Sequence, residues 1–129
     1  MKVDFTTIAR GAHSGYQKAS QMVIDSQEEW EDLWQQHASD IEPPPPVPQV
    51  DFTRDKVVAA FAGEKPTSGY SVEILTVETR NSQTGKLPSL GIKVKYRQPG
   101  DAVQEVITQP HHIIRIPQIA VEQVVFERA

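Results

Sequence analysis

The sequence predicts a mainly β, β-rich α+β fold: an antiparallel sandwich or highly curved sheet with one main α-helix packed against it. Three observations carry this expectation. Leu90, Ile92, Val94 and Tyr96 alternate with Gly91, Lys93, Lys95 and Arg97, the two-residue period of a strand with one buried face. Trp30, Leu33, Trp34 and His37 fall at i, i+3, i+4 and i+7, one face of a helix. From Asp51 onward, short apolar and β-branched runs are separated by turns, without the strand–helix alternation that a parallel nucleotide-binding sheet needs.

Taken in order, residues 1–42 hold the N-terminal strands and the helix. Two strands are expected, at Val3 to Ala9 and Gln21 to Ile24, around the polar turn Arg10-Gly11-Ala12-His13-Ser14-Gly15. Ser26 followed by Glu29 is a capping box, which satisfies free amides at a helix start. Residues 43–50 are a Pro-rich connector: Pro43-Pro44-Pro45-Pro46-Val47-Pro48 has fixed φ and no amide donors, so it runs extended between helix and sheet. Residues 51–129 form the β core of what reads as a single domain. Its strands are expected at Lys56–Ala62, Tyr70–Val77, Leu90–Tyr96, Val103–Thr108, Ile113–Ile116 and Val121–Phe126, with a turn-rich loop at Asn81–Pro88.

Composition narrows the function classes. A chain of 129 residues suits one core. The absence of cysteine excludes disulfides, thiolate metal sites and a cysteine nucleophile. Lys and Arg number 13 against 17 Asp and Glu, a formal net charge of −4, and no basic run gives a nucleic-acid backbone an electrostatic footprint. No stretch is long and apolar enough for a membrane span, and the N-terminus lacks the apolar segment of a signal peptide. A cell-surface or periplasmic location would need a leader that these residues do not contain. Oligomeric state is open.

Catalytic signatures are missing: there is no phosphate-cradling glycine loop, no nucleophile elbow and no two-histidine zinc helix. His111 and His112 are adjacent, so on a strand they point to opposite faces and do not share a metal. His37 belongs to the apolar stripe, where packing is its expected job. Glu28, Glu29, Glu31 and Asp32 read as a solvated face with favourable charge near a helix N-terminus. Trp30 and Trp34 could form an aromatic platform, but at this spacing they are expected to anchor the helix. No metal, no cofactor and no catalytic residue is expected.

One segment stands apart. Gly63-Glu64-Lys65-Pro66-Thr67-Ser68-Gly69-Tyr70 lies between two strands, with Pro66 suited to a turn and Gly69 able to take positive φ. It could be an ordinary turn. Yet together with Val50-Asp51-Phe52, Val57–Phe61, Ser71–Ile74 and Thr108-Gln109-Pro110-His111-His112, it resembles the C-terminal domain of the protease complex subunit PrcB family. The Glu28–Trp34 helix fits the pattern ahead of that core, so the resemblance runs from the helix to about Ile116. It implies an accessory, protein-binding role beside a bacterial surface protease. The turn is also similar to a loop of chagasin-like protease inhibitors, Asn-Pro-Thr-Thr-Gly-Tyr. Pro66, Thr67, Gly69 and Tyr70 match, Lys65 replaces the asparagine and Ser68 a threonine. Gln98-Pro99-Gly100-Asp101 is similar in position to their glycine-rich loop, with one glycine only, and Gln109-Pro110-His111 is similar to their Arg-Pro-Trp loop, without the arginine and the tryptophan.

Two functions follow as expectations. The first is a non-catalytic protein-binding module, an accessory or inhibitor-like partner of a protease, that uses Lys65, Pro66, Thr67, Ser68, Gly69, Tyr70, Pro110 and His111. Lys65 and Thr67 are its foremost contacts. The second is a small-ligand protein or enzyme with a site around His111, His112 and Tyr70. The first predicts that residues 65–70 and 109–112 lie together at one end of the domain.

Overall fold

The run Lys56–Phe61 has no polar face because both of its faces are covered. In the computed structural model, which describes residues 1–81 and 85–129, every one of those residues is buried. The elements are β1 (Thr6–Gly11), β2 (Ser20–Ile24), α1 (Gln27–His37), β3 (Asp55–Phe61), β4 (Ser71–Arg80), β5 (Ser89–Arg97), β6 (His111–Pro117) and β7 (Gln123–Arg128). They build a four-stranded sheet in the order β1-β6-β3-β2 and a three-stranded sheet in the order β4-β5-β7. The helix packs on the outer face of the larger sheet, and the smaller sheet on its inner face. Alternation along β3 divides its side chains between two layers: Val57, Ala59 and Phe61 toward the helix, Val58 and Ala60 toward the other sheet.

The fold class is the one expected, with local departures. Every strand pair is antiparallel except β5–β7, which is parallel and places β7 along the far side of β5. The first strand starts later than expected, at Thr6, because the residues before it serve the other sheet. Lys2 bridges Glu78, and the Val3 amide donates to the Val77 carbonyl at 2.8 Å. The chain then crosses between sheets before Thr6. Val103–Thr108 is not a strand. Only Thr108 bridges, to Lys65, and the apolar residues Val103, Val106 and Ile107 are exposed. Their spacing breaks the two-residue period, so no single face could have buried all three. Of the Asn81–Pro88 turn, residues 82–84 lie outside the described residues.

The helix is held as its sequence demands. Ser26 Oγ accepts from the Glu29 amide at 3.2 Å, while the Glu29 carboxylate accepts from the serine hydroxyl at 3.0 Å rather than from the Ser26 backbone. Trp30, Leu33, Trp34 and His37 are all buried. The two indoles donate outward to the proline segment, Trp30 Nε1 to the Pro48 carbonyl at 2.8 Å and Trp34 Nε1 to the Pro45 carbonyl at 3.1 Å. An extended polyproline path leaves its carbonyls free of any ladder, which makes them ready acceptors. The connector is therefore a strap over the helix. Trp30 and Trp34 do not form an exposed platform.

Candidate functional site

The loops at one end of the sandwich are locked to one another. The Lys65 amide donates to the Thr108 carbonyl at 2.7 Å, and the Thr108 amide returns to the Lys65 carbonyl at 2.9 Å. Thr108 Oγ1 donates to the Thr67 carbonyl at 2.9 Å. Ser68 and Gln104 exchange a second pair: the Ser68 amide to the Gln104 carbonyl at 3.0 Å, and the Gln104 amide to Ser68 Oγ at 2.8 Å. Gly69 adopts φ +91°, and a Cβ there would lie 2.5 Å from Pro99 Cβ, so this turn and residues 98–101 touch through the glycine. The β3–β4 turn and two stretches of the β5–β6 connection thus form one surface, held by backbone hydrogen bonds, by the Ser68 and Thr108 hydroxyls and by the missing side chain of Gly69.

On that surface Pro66 and Gly69 are exposed, and Lys65, Thr67, Ser68 and Tyr70 are half-buried. Ser68 spends its hydroxyl on Gln104, so its role is to shape the turn. Pro110 and His111 lie beside the turn but point inside: both are buried, and the Pro110 carbonyl accepts from the Ala62 amide at 2.9 Å. The apolar side chains that this end does expose are Val103, Val106 and Ile107, with Ile107 57 % exposed. A strand expectation hid these three, although Gly100-Asp101 before them and Pro110 after them are loop signals.

The histidines serve the layers. His111 faces the helix, its ring centroid 4.4 Å from that of His37, whose Nδ1 lies 2.8 Å from Ser14 Oγ. His112 faces the opposite way, into the gap between sheets. There its Nδ1 accepts the Ile74 amide at 2.8 Å and its Nε2 lies 2.8 Å from Thr7 Oγ1. An acceptor Nδ1 makes this ring the neutral tautomer with its proton on Nε2, donating to the threonine. Both partners sit where a ladder slips register, between Thr7 and Ala9 in one sheet and between Ile74 and Thr76 in the other. Burial pushes His111 down to about 4, with the neighbouring His37 adding to the effect. His112 is likewise pushed down to about 4, by burial first and then by Arg10. His111, His112 and Tyr70 do not converge on one site.

Beside the loops a cleft of about 230 Å³ opens between Lys65, Tyr70, Tyr96, Arg97 and Arg128. Lys65 Nζ stands 5.5 Å from the centre of the Tyr70 ring, and the Arg128 guanidinium 4.6 Å from that of Tyr96. Arg97 is bound to Glu73 at 2.8 Å, and Glu73 also meets Arg10 at 3.5 Å. The Arg97 hydrogen bond is the main reason the Glu73 carboxyl is held below its ordinary range. Among the described residues no cluster of histidines and carboxylates could hold a metal.

A family model described as PrcB C-terminal matches residues 56–117. The match begins in β3 and ends in β6, so it contains the 63–70 turn and both loops locked to it, while α1 lies outside it. No curated protein matches, and no solved structure matches. The likeness to chagasin-like inhibitors rests on the loop residues alone.

Proposed function

We propose, on the premise that residues 56–117 are a PrcB C-terminal domain, that the chain is a non-catalytic protein-binding module that docks through its loop end onto a partner in a protease complex. The carrying observation is the mutual locking of the 63–70, 98–101 and 103–109 segments into one rigid surface. Rigid loops on a sheet scaffold lose little entropy on binding. The exposed Val103, Val106 and Ile107 add the apolar contact area that interaction surfaces concentrate. A catalytic site on His111, His112 and Tyr70 lacks comparable support, because the two imidazoles are buried on opposite faces of β6.

The test is an affinity capture from the native host with the intact chain, repeated with Val106→Ser plus Ile107→Ser and with Lys65→Ala plus Thr67→Ala. Loss of the captured protein by folded variants is expected. Equal capture by all of them would overturn the assignment of this surface.

A further inference from the structure

We infer that the cleft between the 65–70 turn and the end of β7 receives an acidic, extended segment of the partner protein. This inference rests on the module reading above and names the chemistry that one side of its surface takes. The chain carries a net charge of −4, yet the cleft is lined by Lys65, Arg97 and Arg128 and by no carboxylate. Arg97 is already neutralised by Glu73. Lys65 and Arg128 have no carboxylate partner among the described residues; each rests instead against a tyrosine ring. A cation held over an aromatic face keeps its N–H donors free for an incoming anion, and the ring fixes its position. Tyr96 is itself held, because Gln21 Nε2 donates to its hydroxyl at 2.7 Å.

Shape favours a chain over a small anion. The cleft continues into a groove lined by Ala19, Ser20 and Gln21 on one side and by Phe126 and Arg128 on the other, with Tyr96 in both. Ser20 and Gln21 begin β2, and Phe126 and Arg128 close β7; both strands are sheet edges. An extended segment lying there can add backbone hydrogen bonds to an edge while its carboxylates reach Lys65 and Arg128. Both walls of the groove come from outside the family match, so β2 and β7 supply what residues 56–117 lack.

The experiment uses a short glutamate-rich peptide, acetylated and amidated so that only side chains carry charge, and its glutamine counterpart. Binding is followed by fluorescence anisotropy and by amide chemical shifts of the intact chain. The acidic peptide should shift residues around Lys65, Tyr70, Tyr96 and Arg128, and the glutamine peptide should not. Lys65→Ala with Arg128→Ala should weaken binding about tenfold or more at an unchanged melting temperature, while Lys93→Ala on the exposed sheet face leaves it intact. No binding, equal weakening by Lys93→Ala, or equal displacement by millimolar inorganic phosphate would overturn the assignment. So would shifts confined to residues 103–107. Those results leave the loop-end capture experiment to stand or fall by its own variants.

Discussion

The two faces of the four-stranded sheet are packed by different means. Toward the smaller sheet the layer is aliphatic: Val58, Ile114 and Ile116 meet Val72, Ile74, Val77, Leu90, Ile92 and Val94, and nearly all are fully buried. Toward the helix the layer is aromatic and polar-tipped. Trp30, Trp34, Phe61 and the half-buried Tyr16 pack there with His37 and His111, and Tyr16 stacks on Phe61 at 4.1 Å between ring centres. At the centre of the aliphatic layer only shape matters, so losses there scale with the methyl groups removed. The aromatic layer also depends on hydrogen bonds to groups remote in sequence, so one substitution there loosens helix, strap and sheet together. Two polar groups enter the aliphatic side: His112, a ring placed where two ladders slip, and Lys56, whose Nζ donates to the Ile119 carbonyl at 3.0 Å.

That contrast can be broken at graded cost. The largest effect is expected for Trp30→Ala, about 3–5 kcal/mol by the usual cost of aromatic truncation. Trp30 is fully buried and its loss also strands the Pro48 carbonyl. A denaturation midpoint close to that of the parent chain would refute the helix-side account. Trp34→Ala should fall slightly below it, since Trp34 keeps 8 % of its surface exposed.

Acid should come next. His111 and His112 titrate near 4 in the folded chain against an ordinary 6.5. Between those values the unfolded chain binds more protons, so stability present above about 6.5 is lost as the pH falls toward 4. From pH 7 to 5 the loss should be about 1–2 kcal/mol for each ring, allowing for partial solvent screening. For His112, beyond burial and the Arg10 charge, a proton on Nδ1 would also face the Ile74 N–H. His37, lowered by burial, acts in the same direction. Denaturant titrations across this range check it, and a flat profile would refute it.

Ile114→Val, in the aliphatic layer, should cost about 0.5–1.5 kcal/mol with no change in pH dependence. The smallest effect is expected at the loop end. Ile107→Ser should change stability by less than about 0.5 kcal/mol, because its side chain is mostly in water. A larger loss would mean that Ile107 packs against the fold and is no docking residue.

Much of the candidate surface was legible locally. Proline and glycine in Lys65–Tyr70 announce a turn, and Gly69 takes the positive φ anticipated for it. The proximity of residues 65–70 to 109–112 was also anticipated, and the Lys65–Thr108 bridge realises it. The direction of the side chains was not legible. Pro110 and His111 turn inward because β6 is central in its sheet and covered on both faces. Arg128 and Tyr96 leave no local mark as a pair, because 32 residues separate them in sequence and the parallel pairing of β7 with β5 brings them together.

Short-range signals specify the capped helix, the alternating β5, the buried β3 and the turn at 65–70, and composition alone sets the charge balance. Periodicity and turn chemistry act between residues a few positions apart, so they are written locally. Long-range packing set the strand order, the parallel seat of β7, the strap of prolines over two indoles, and the cleft that Lys65 and Arg128 share. Each of these depends on which distant segments share a layer, and burial of a common apolar face selects that partnering without leaving a local mark.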